Sequence, residues 1–248
     1  SLSSLHSHAD ALQVLLAAKA SIDMRGTDGH TALMLAADSA CAQALVDARA
    51  QLEVTDTHGN TALSLAAAQG RIGVVETLVA AKAELFVQNH DKHTPLMLAV
   101  KNNRSDVVWV LARAVDTQGN TALMMAAAGG DVALMNVLLL AEASLDEQNE
   151  KGETALLLAV RHGHKSAAEV LINTRAQVDL SDKHGNTALL LAADAGLVDI
   201  VHLLVRARAN VFVSNAAGTS PLSCALAKEY MQVVRQLVFA QDTDGNTL

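Results

Sequence analysis

The 248-residue sequence has only two cysteines, two prolines and few aromatic residues. Cys41 and Cys224 are too few and too far apart in sequence to form a disulfide framework, which favours a reducing, intracellular setting. The longest apolar run, near residues 132–141, is about half as long as a membrane span requires. Residues 1–12 lack the basic start and apolar core of a signal peptide. We therefore expect a cytoplasmic protein without membrane insertion.

The sequence also lacks any basic stripe, and its formal net charge is −8. A broad nucleic-acid surface requires clustered Lys and Arg, so nucleic acid is not an expected partner. Hydrophobic residues make up 51% of the chain although aromatic residues make up only 2%. This alanine-rich composition is typical of closely packed short helices.

One ten-residue stretch, His184–Ala193, recurs with variations along the chain. Its Thr or Ser position recurs in steps of 30, 33, 27, 33, 33, 33 and 27 residues. A period near 33 residues is typical of a repeat array. The recurring residues are Thr31, Thr61, Thr94, Thr121, Thr154, Thr187, Ser220 and Thr247. We place the copies near residues 1–30, 31–60, 61–93, 94–120, 121–153, 154–186, 187–219 and 220–246.

Each recurring Thr or Ser is expected to begin a helix, because its side chain can accept from the free N–H groups of the first turn. The only two prolines, Pro95 and Pro221, occupy the next position, where a missing N–H costs nothing. In the copy 61–93 a second helix is expected over 72–81, with an extended finger after it. The apolar positions expected to face inward are Leu63, Leu65, Ala66, Ile72, Val75, Leu78 and Val79.

The pattern D-x-x-G-x-T-[AP]-L-x-x-A-A-x-x-G, followed by an apolar helix and an extended segment, resembles the ankyrin repeat over essentially the whole chain. The resemblance implies an all-α fold, an α-solenoid of about seven ankyrin repeats in one domain of residues 1–248. Each repeat would be a helix-turn-helix with a β-hairpin finger, the stack would be curved, and both terminal repeats would be incomplete.

The chain departs from the family after the second helix of each copy, where other residues replace the usual glycine. If these positions are left-handed, a side chain is disfavoured there. Most of the replacements are basic, which suits the negative end of a helix dipole. They are Lys19, Arg49, Lys82, Glu142, Arg175 and Arg208.

A longer sequence period is also present, because Asp and Asn alternate at the residue that opens each turn. This alternation makes a pair of repeats, about 66 residues, the expected unit of ancestry. The alternating residues are Asp56, Asn89, Asp116, Asn149, Asp182, Asn215 and Asp242.

Two copies, 94–120 and 220–246, are shorter than the others by the length of a finger strand. The deficits fall between Ala112 and Asp116 and between Val238 and Asp242. Two interpretations stay open: residues are absent from the chain at these points, or the repeats are shortened and fingerless. The copy 31–60 raises the same question near Asp38 and Ser39.

No set of residues predicts catalysis, a cofactor or a metal. His162 and His164 flank a glycine at a turn, without Cys or further His at zinc-ligand spacing. Cys224 has no His or acid in a defined relation to it, so a buried thiol is favoured over a nucleophile. Trp109, the only tryptophan, is either a core residue or an exposed anchor. We therefore predict a protein that is not an enzyme.

The resemblance implies a scaffold or adaptor that binds a protein through its finger tips and the concave face of its first helices. Two alternatives are a structural part of a large cytoskeletal or ciliary assembly, and the targeting arm of a larger enzyme or channel. The predicted protein-binding residues are Thr57, His58, Asn60, Gln69, His90, Asp91, His93, Lys101, Asn102, Thr117, Gln118, Asn120, Glu150, Lys151, Glu153, Arg161, His162, Lys183, His184, Asn186 and Asp194.

Overall fold

The computed structural model describes residues 22–243, and the regular structure within that range is entirely helical. Lys19, Thr247 and most of the first copy lie outside the described residues. The helices are α1 Ala32–Leu35, α2 Ser39–Asp47, α3 Ala62–Gln69, α4 Ile72–Ala80, α5 Pro95–Lys101, α6 Ser105–Arg113, α7 Ala122–Gly129, α8 Val132–Leu140, α9 Ala155–Arg161, α10 Lys165–Asn173, α11 Ala188–Asp194, α12 Val198–Arg206, α13 Pro221–Ala227 and α14 Met231–Thr243.

The chain divides into two compact units, Ser1–Thr117 and Gln118–Leu248. In the first unit, α1, α3 and α5 stack in order, and each packs against the helix that follows it in sequence. In the second unit, α7, α9, α11 and α13 form the same arrangement, with α8, α10, α12 and α14 stacked beside them. These layers of helix pairs are the predicted solenoid repeats. The limits of the individual copies and their grouping into one domain stay predictions.

The recurring Thr and Ser residues cap the first helix of every described copy, as the sequence predicts. Thr61 Oγ1 accepts the Ser64 backbone N–H at 3.2 Å, and Thr187 Oγ1 accepts that of Leu190 at 3.3 Å. Pro95 and Pro221 occupy the first turns of α5 and α13. Each cap satisfies a backbone donor that has no partner within its helix.

The inward faces are shifted relative to the predicted ones in the copy 61–93. Leu63, Ala66, Val75 and Leu78 are buried, as expected. Ile72, in contrast, is 39% exposed, and Val74, which was not predicted, takes its place in the core. Leu65 and Val79 are half-buried. The second helix therefore presents adjacent valines to its neighbours, since it packs against α2, α3 and α6.

The fingers are tight turns and not paired strands in the described part of the chain. At one tip the Asp56 N–H donates to Asn60 O at 2.9 Å, and the Gly59 N–H donates to Asp56 O at 3.1 Å. Successive tips are joined by single bonds, such as that from the His90 N–H to His58 O at 3.0 Å. Ser181 and Thr187 form one isolated antiparallel bridge. The arms are too short to sustain a ladder, since an isolated two-stranded hairpin is marginal even when longer.

The short copies are accommodated by changes in these connections. Helix α6 ends at Arg113, and only Ala114 and Val115 precede the turn that Asp116 opens. Helix α14 continues to Thr243, so the expectation that Asp242 opens a turn is wrong. In the copy 31–60 the deficit lies in α1, which has only four residues. The choice between shortened, fingerless repeats and absent residues stays open.

Polar side chains join the copies in pairs, which gives the Asp/Asn alternation a physical basis. Asn60 donates its Nδ2 to Asp56 Oδ2 at 3.0 Å, and its Oδ1 accepts from Asn89 Nδ2 at 2.9 Å. In the second unit Asn186 lies in the same way between Asp182 and Asn215, at 3.0 and 2.9 Å. An Asp copy thus supplies the oriented amide that the following Asn copy uses. The pair of about 66 residues is a hydrogen-bonded unit as well as a sequence period.

The residues that replace the family's glycine are left-handed, as the sequence suggests. Their φ angles are 64° for Arg49, 65° for Lys82, 57° for Glu142, 69° for Arg175 and 61° for Arg208. A side chain in this region costs roughly 1–2 kcal/mol. The strain recurs at five positions along the described chain, so its cost to stability is distributed.

Replacing Arg175 with glycine should therefore stabilise the protein. We expect the Arg175→Gly variant to gain about 0.5–1 kcal/mol, since glycine relieves the strain but adds chain entropy. Urea unfolding followed by circular dichroism measures the change. The control is Glu169→Gly on the exposed face of α10, which should lose about 1 kcal/mol. A loss at both positions would show that the left-handed geometry at Arg175 is not a strain.

Candidate binding surface

Most of the predicted contact residues are exposed at the tips of the turns and at the ends of the first helices. Glu153 is a correction, because it is only 6% exposed. Asn60, His93, Asn120, Asn186 and Asp194 are half-buried. The remaining residues are surface groups, and their part in binding stays a prediction. Tip amides such as that of Asn60 form hydrogen bonds between copies.

In the second unit, two turn tips and the end of α9 enclose a cavity of about 400 Å³. Six of its seven lining residues belong to the predicted binding set. Sequence reasoning missed the seventh, Asp182, because it was interpreted only as the residue that opens a turn. The lining residues are Glu150, Lys151, Glu153, Arg161, Asp182, Lys183 and His184.

At the base of this cavity, Arg161 lies between two buried carboxylates. Its Nε is 2.9 Å from Glu153 Oε1, and its Nη2 is 3.3 Å from Asp182 Oδ2. The Arg161 side chain is 41% exposed, whereas those of Glu153 and Asp182 are 8% and 3% exposed. The arginine is the last residue of α9, where a cation suits the helix dipole. Its guanidinium thus ties one turn to the next and keeps one side open to the cavity.

The Asp182 carboxyl is held in its charged form. Burial raises its pKa, but the side-chain and backbone N–H groups of Asn186, the backbone N–H of His184 and the charge of Arg161 outweigh that effect. The net result is a pKa below the ordinary value. The Asp56 carboxyl has a lowered pKa for the same reasons, with burial opposed by bonds from Asn60 and His58. Both turns are therefore stabilised by an ionised aspartate.

Because the folded-state pKa of Asp182 is below the unfolded one, its contribution is complete above about pH 4 to 5 and is lost as pH falls through the lower value. We expect Asp182→Asn to cost roughly 1–3 kcal/mol at pH 7, since Asn186 Nδ2 and Arg161 lose an acceptor. The difference from the wild type should shrink as pH falls to about 3. Urea unfolding at several pH values measures it.

The matched control is Asp199→Asn, because the Asp199 side chain is 73% exposed in its 3.1 Å pair with Lys165. We expect that change to cost under about 1 kcal/mol at every pH. A constant difference between Asp182→Asn and wild type from pH 7 to about 3 would contradict the assignment of the titrating group.

The acid–base–acid set occurs in one copy only. The positions equivalent to Glu153, Arg161 and Asp182 are Asn60, Ala68 and Asn89 in one copy and Asn120, Ala128 and Asn149 in another. The copy that begins at Thr94 has His93, Lys101 and Asp116. The repeat fold therefore forms with alanine at the position of Arg161, and the ion set is an addition to it.

The other candidate groups do not form a chemical site. His162 and His164 stack with ring centroids 6.3 Å apart, and His164 Nε2 lies 3.0 Å from Ala128 O. Within residues 22–243, no three His, Cys, Asp or Glu side chains are arranged to hold a metal. Cys224 is buried, and burial, together with Asp194, raises the pKa of its thiol. Trp109 is 54% exposed, and its ring centroid lies 4.2 Å from the guanidinium carbon of Arg113.

None of the helices in the described range combines the length and the apolar character that a bilayer span requires. The predicted cytoplasmic location is not tested by that finding.

Comparison with known proteins gives a consistent result. A family model described as ankyrin repeats in three copies matches residues 2–89, 81–146 and 123–215. A solved ankyrin repeat domain from Acinetobacter baumannii AYE is 28% identical, with a TM-score of 0.55. That match covers 72% of this chain and 96% of the other. No curated protein matches the sequence.

Proposed function

The chain belongs to the ankyrin repeat family, and we propose that it binds a protein partner at the cavity around Arg161. Ankyrin repeats are generally protein–protein interaction modules. The observation that carries the proposal is the ion set Glu153, Arg161 and Asp182, which the other copies lack.

Stability does not require an arginine in this set. A buried ion pair is often no more stabilising than packed apolar groups of the same volume. Two other copies build the same helix pair with Ala68 or Ala128 in place of Arg161. A half-exposed arginine held by two buried carboxylates is instead an oriented group, fixed before a partner arrives. This arrangement favours recognition.

The exposed residues around the set extend the proposed contact surface. Lys151, Lys183 and His184 are exposed on the two adjacent tips, and Glu150 is exposed beside them. His162 follows Arg161 at the end of α9. We expect only a minority of the predicted residues to contribute strongly, as at most interfaces. The tips in the unit Ser1–Thr117 are a secondary candidate surface.

We also propose that the protein is intracellular. Cys41 and Cys224 are free and buried, which fits a compartment that keeps thiols reduced. A part in a cytoskeletal or ciliary assembly and a targeting arm of a larger enzyme or channel are the alternatives. The assembly alternative predicts a different contact pattern from that of a binding module, because a lattice component is covered by neighbours on several sides.

Site-specific photocrosslinking tests the proposal. A benzophenone amino acid replaces His184 at the cavity in one variant, and Glu169 on the exposed face of α10 in a second. Both are expressed in the cells that make the protein and irradiated. We expect discrete crosslinked protein bands from position 184 and none from 169. Equal crosslinking from both positions would favour a lattice component, and crosslinking from 169 alone would overturn the proposed surface.

A further inference from the structure

The chemistry of the partner follows from which groups in the cavity still have unused hydrogen-bonding capacity. The Asp182 carboxylate has none to spare, and the Glu153 carboxylate is buried with both of its oxygens bonded. Glu153 accepts from Arg161 Nε at 2.9 Å and, through Oε2, from Asn149 Nδ2 at 3.3 Å. Asp182 Oδ1 accepts the backbone N–H groups of His184 and Asn186, both at 2.9 Å. A cationic side chain from a partner would find these acceptors occupied.

The other oxygen of Asp182 is occupied as well. Its Oδ2 accepts from Asn186 Nδ2 at 3.0 Å and from Arg161 Nη2 at 3.3 Å. Arg161, in contrast, carries more N–H groups than these two ion pairs use. Because its side chain is 41% exposed, the remaining donors face the cavity. The base of the cavity therefore offers donors and not acceptors.

The rim has the same bias. Lys151 and Lys183 are exposed, and the backbone bond from the Lys183 N–H to Lys151 O, at 3.0 Å, holds their tips together. Neither ammonium forms an ion pair within the described residues. Glu150 is the one acidic residue of the lining that is exposed. Two rim ammonium groups thus face one exposed carboxylate, and the guanidinium of Arg161 lies at the base.

We propose that this cavity binds a carboxylate side chain, supplied by a short acidic segment of a protein partner. Guanidinium and ammonium groups bind carboxylates through charge-assisted hydrogen bonds, and arginine can do so with two parallel bonds. The cavity, at about 400 Å³, has room for a side chain. The chain's net charge of −8 repels long polyanions. An anionic partner is therefore attracted only locally, at this cavity. This inference rests on the proposed function.

Fluorescence anisotropy with the full chain and short labelled peptides tests the inference. A Gly/Ser peptide with three central Glu residues is compared with matched Gln and Lys peptides. We expect the Glu peptide to bind at least about tenfold more tightly than the Gln peptide, as one charge-assisted bond would give. Binding should weaken with added salt. Preferential binding of the Lys peptide, or of a single-stranded DNA of equal charge, would overturn the inference.

A charge-matched pair of variants locates the binding. Lys151→Gln with Lys183→Gln removes two rim cations without touching the buried ion set, so folding should be retained. Arg206→Gln with Arg235→Gln removes the same charge from exposed positions on α12 and α14 of the same unit. We expect the first pair to weaken Glu-peptide binding about tenfold or more and the second to change it less than about twofold.

Equal weakening by both pairs would overturn the inference, because net charge would then explain the binding. The crosslinking experiment separates this failure from that of the proposed function. Crosslinks from position 184 without Glu-peptide binding would contradict the carboxylate ligand and leave the proposed surface in place. Without crosslinks from position 184, the surface itself fails.

Discussion

Truncating Leu189 to alanine should cost about 2–5 kcal/mol of unfolding free energy, the range measured for fully buried leucines. Leu189 is 0% exposed in α11, which packs against α9 and α13 in the second unit. Its loss leaves a cavity between the stacked layers, which the alanine methyl group cannot fill.

Urea unfolding followed by circular dichroism measures this loss. The control is Leu140→Ala, because Leu140 is 86% exposed at the end of α8. Removing that side chain should change stability by less than about 0.5 kcal/mol. If Leu189→Ala cost as little as the control, the orientation of α11 described above would be wrong.

Much of the fold is predictable from the sequence because each copy carries its own boundary residues. Thr61 and Thr187 act through local hydrogen bonds to the third residue of their helices, and local bonds are visible in sequence spacing. The helix pairs and their order follow from the period for the same reason. The inward face of α4 was harder to predict. Ile72 and Val74 are equally apolar, and only the positions of neighbouring layers decide which one is buried.

The fingers show a different limit. Leu85 and Val87 lie two residues apart, a spacing typical of one face of a strand, but strand formation depends on a partner arm long enough to sustain a ladder. The chain instead forms turns closed by one or two backbone bonds. The sequence also does not predict that α14 continues to Thr243. Asp242 matches the turn-opening residues of other copies, but this match does not show where the preceding helix ends.

Six residues of the cavity were predicted from their positions at tips and helix ends. Their pairing was not, since it depends on Arg161 reaching back to Glu153 while Asp182 approaches from the next copy. Asp182 was recognisable in one respect. The copy before its turn is the only described one with an acidic residue before its capping Thr and an arginine at the end of its first helix. These residues are Glu153 and Arg161. Comparing the copies position by position would have found it.

Gly152→Ala should be the second severe change, at roughly 2–5 kcal/mol, because two costs combine. The φ angle of Gly152 is 76°, which an alanine tolerates poorly. An added Cβ would lie 2.8 Å from the Lys183 backbone N and 3.1 Å from the Asp182 carbonyl carbon. Both contacts are to backbone, so no side chain can rotate away to relieve them. The two tips would have to separate.

Gly218→Ala separates the two costs. The φ angle of Gly218 is 77°, but no described atom would lie within 4 Å of its added Cβ. We expect this variant to lose only the backbone term, about 1–2 kcal/mol. Gly129→Ala, at an exposed helical position with no close atom, should gain about 0.5–1 kcal/mol. Thermal and urea unfolding of the three variants measures the series.

The order Gly152, Gly218, Gly129 from most to least destabilised is the expected result. Equal losses at Gly152 and Gly218 would mean that the second tip yields without cost, and the rigid approach of the two tips would then be wrong. The Gly152 variant also bears on the cavity. Separating the tips breaks the bond from the Lys183 N–H to Lys151 O and moves both rim ammonium groups apart. Binding of an acidic peptide should therefore weaken in this variant, while in the Gly218 variant it should stay at the wild-type level.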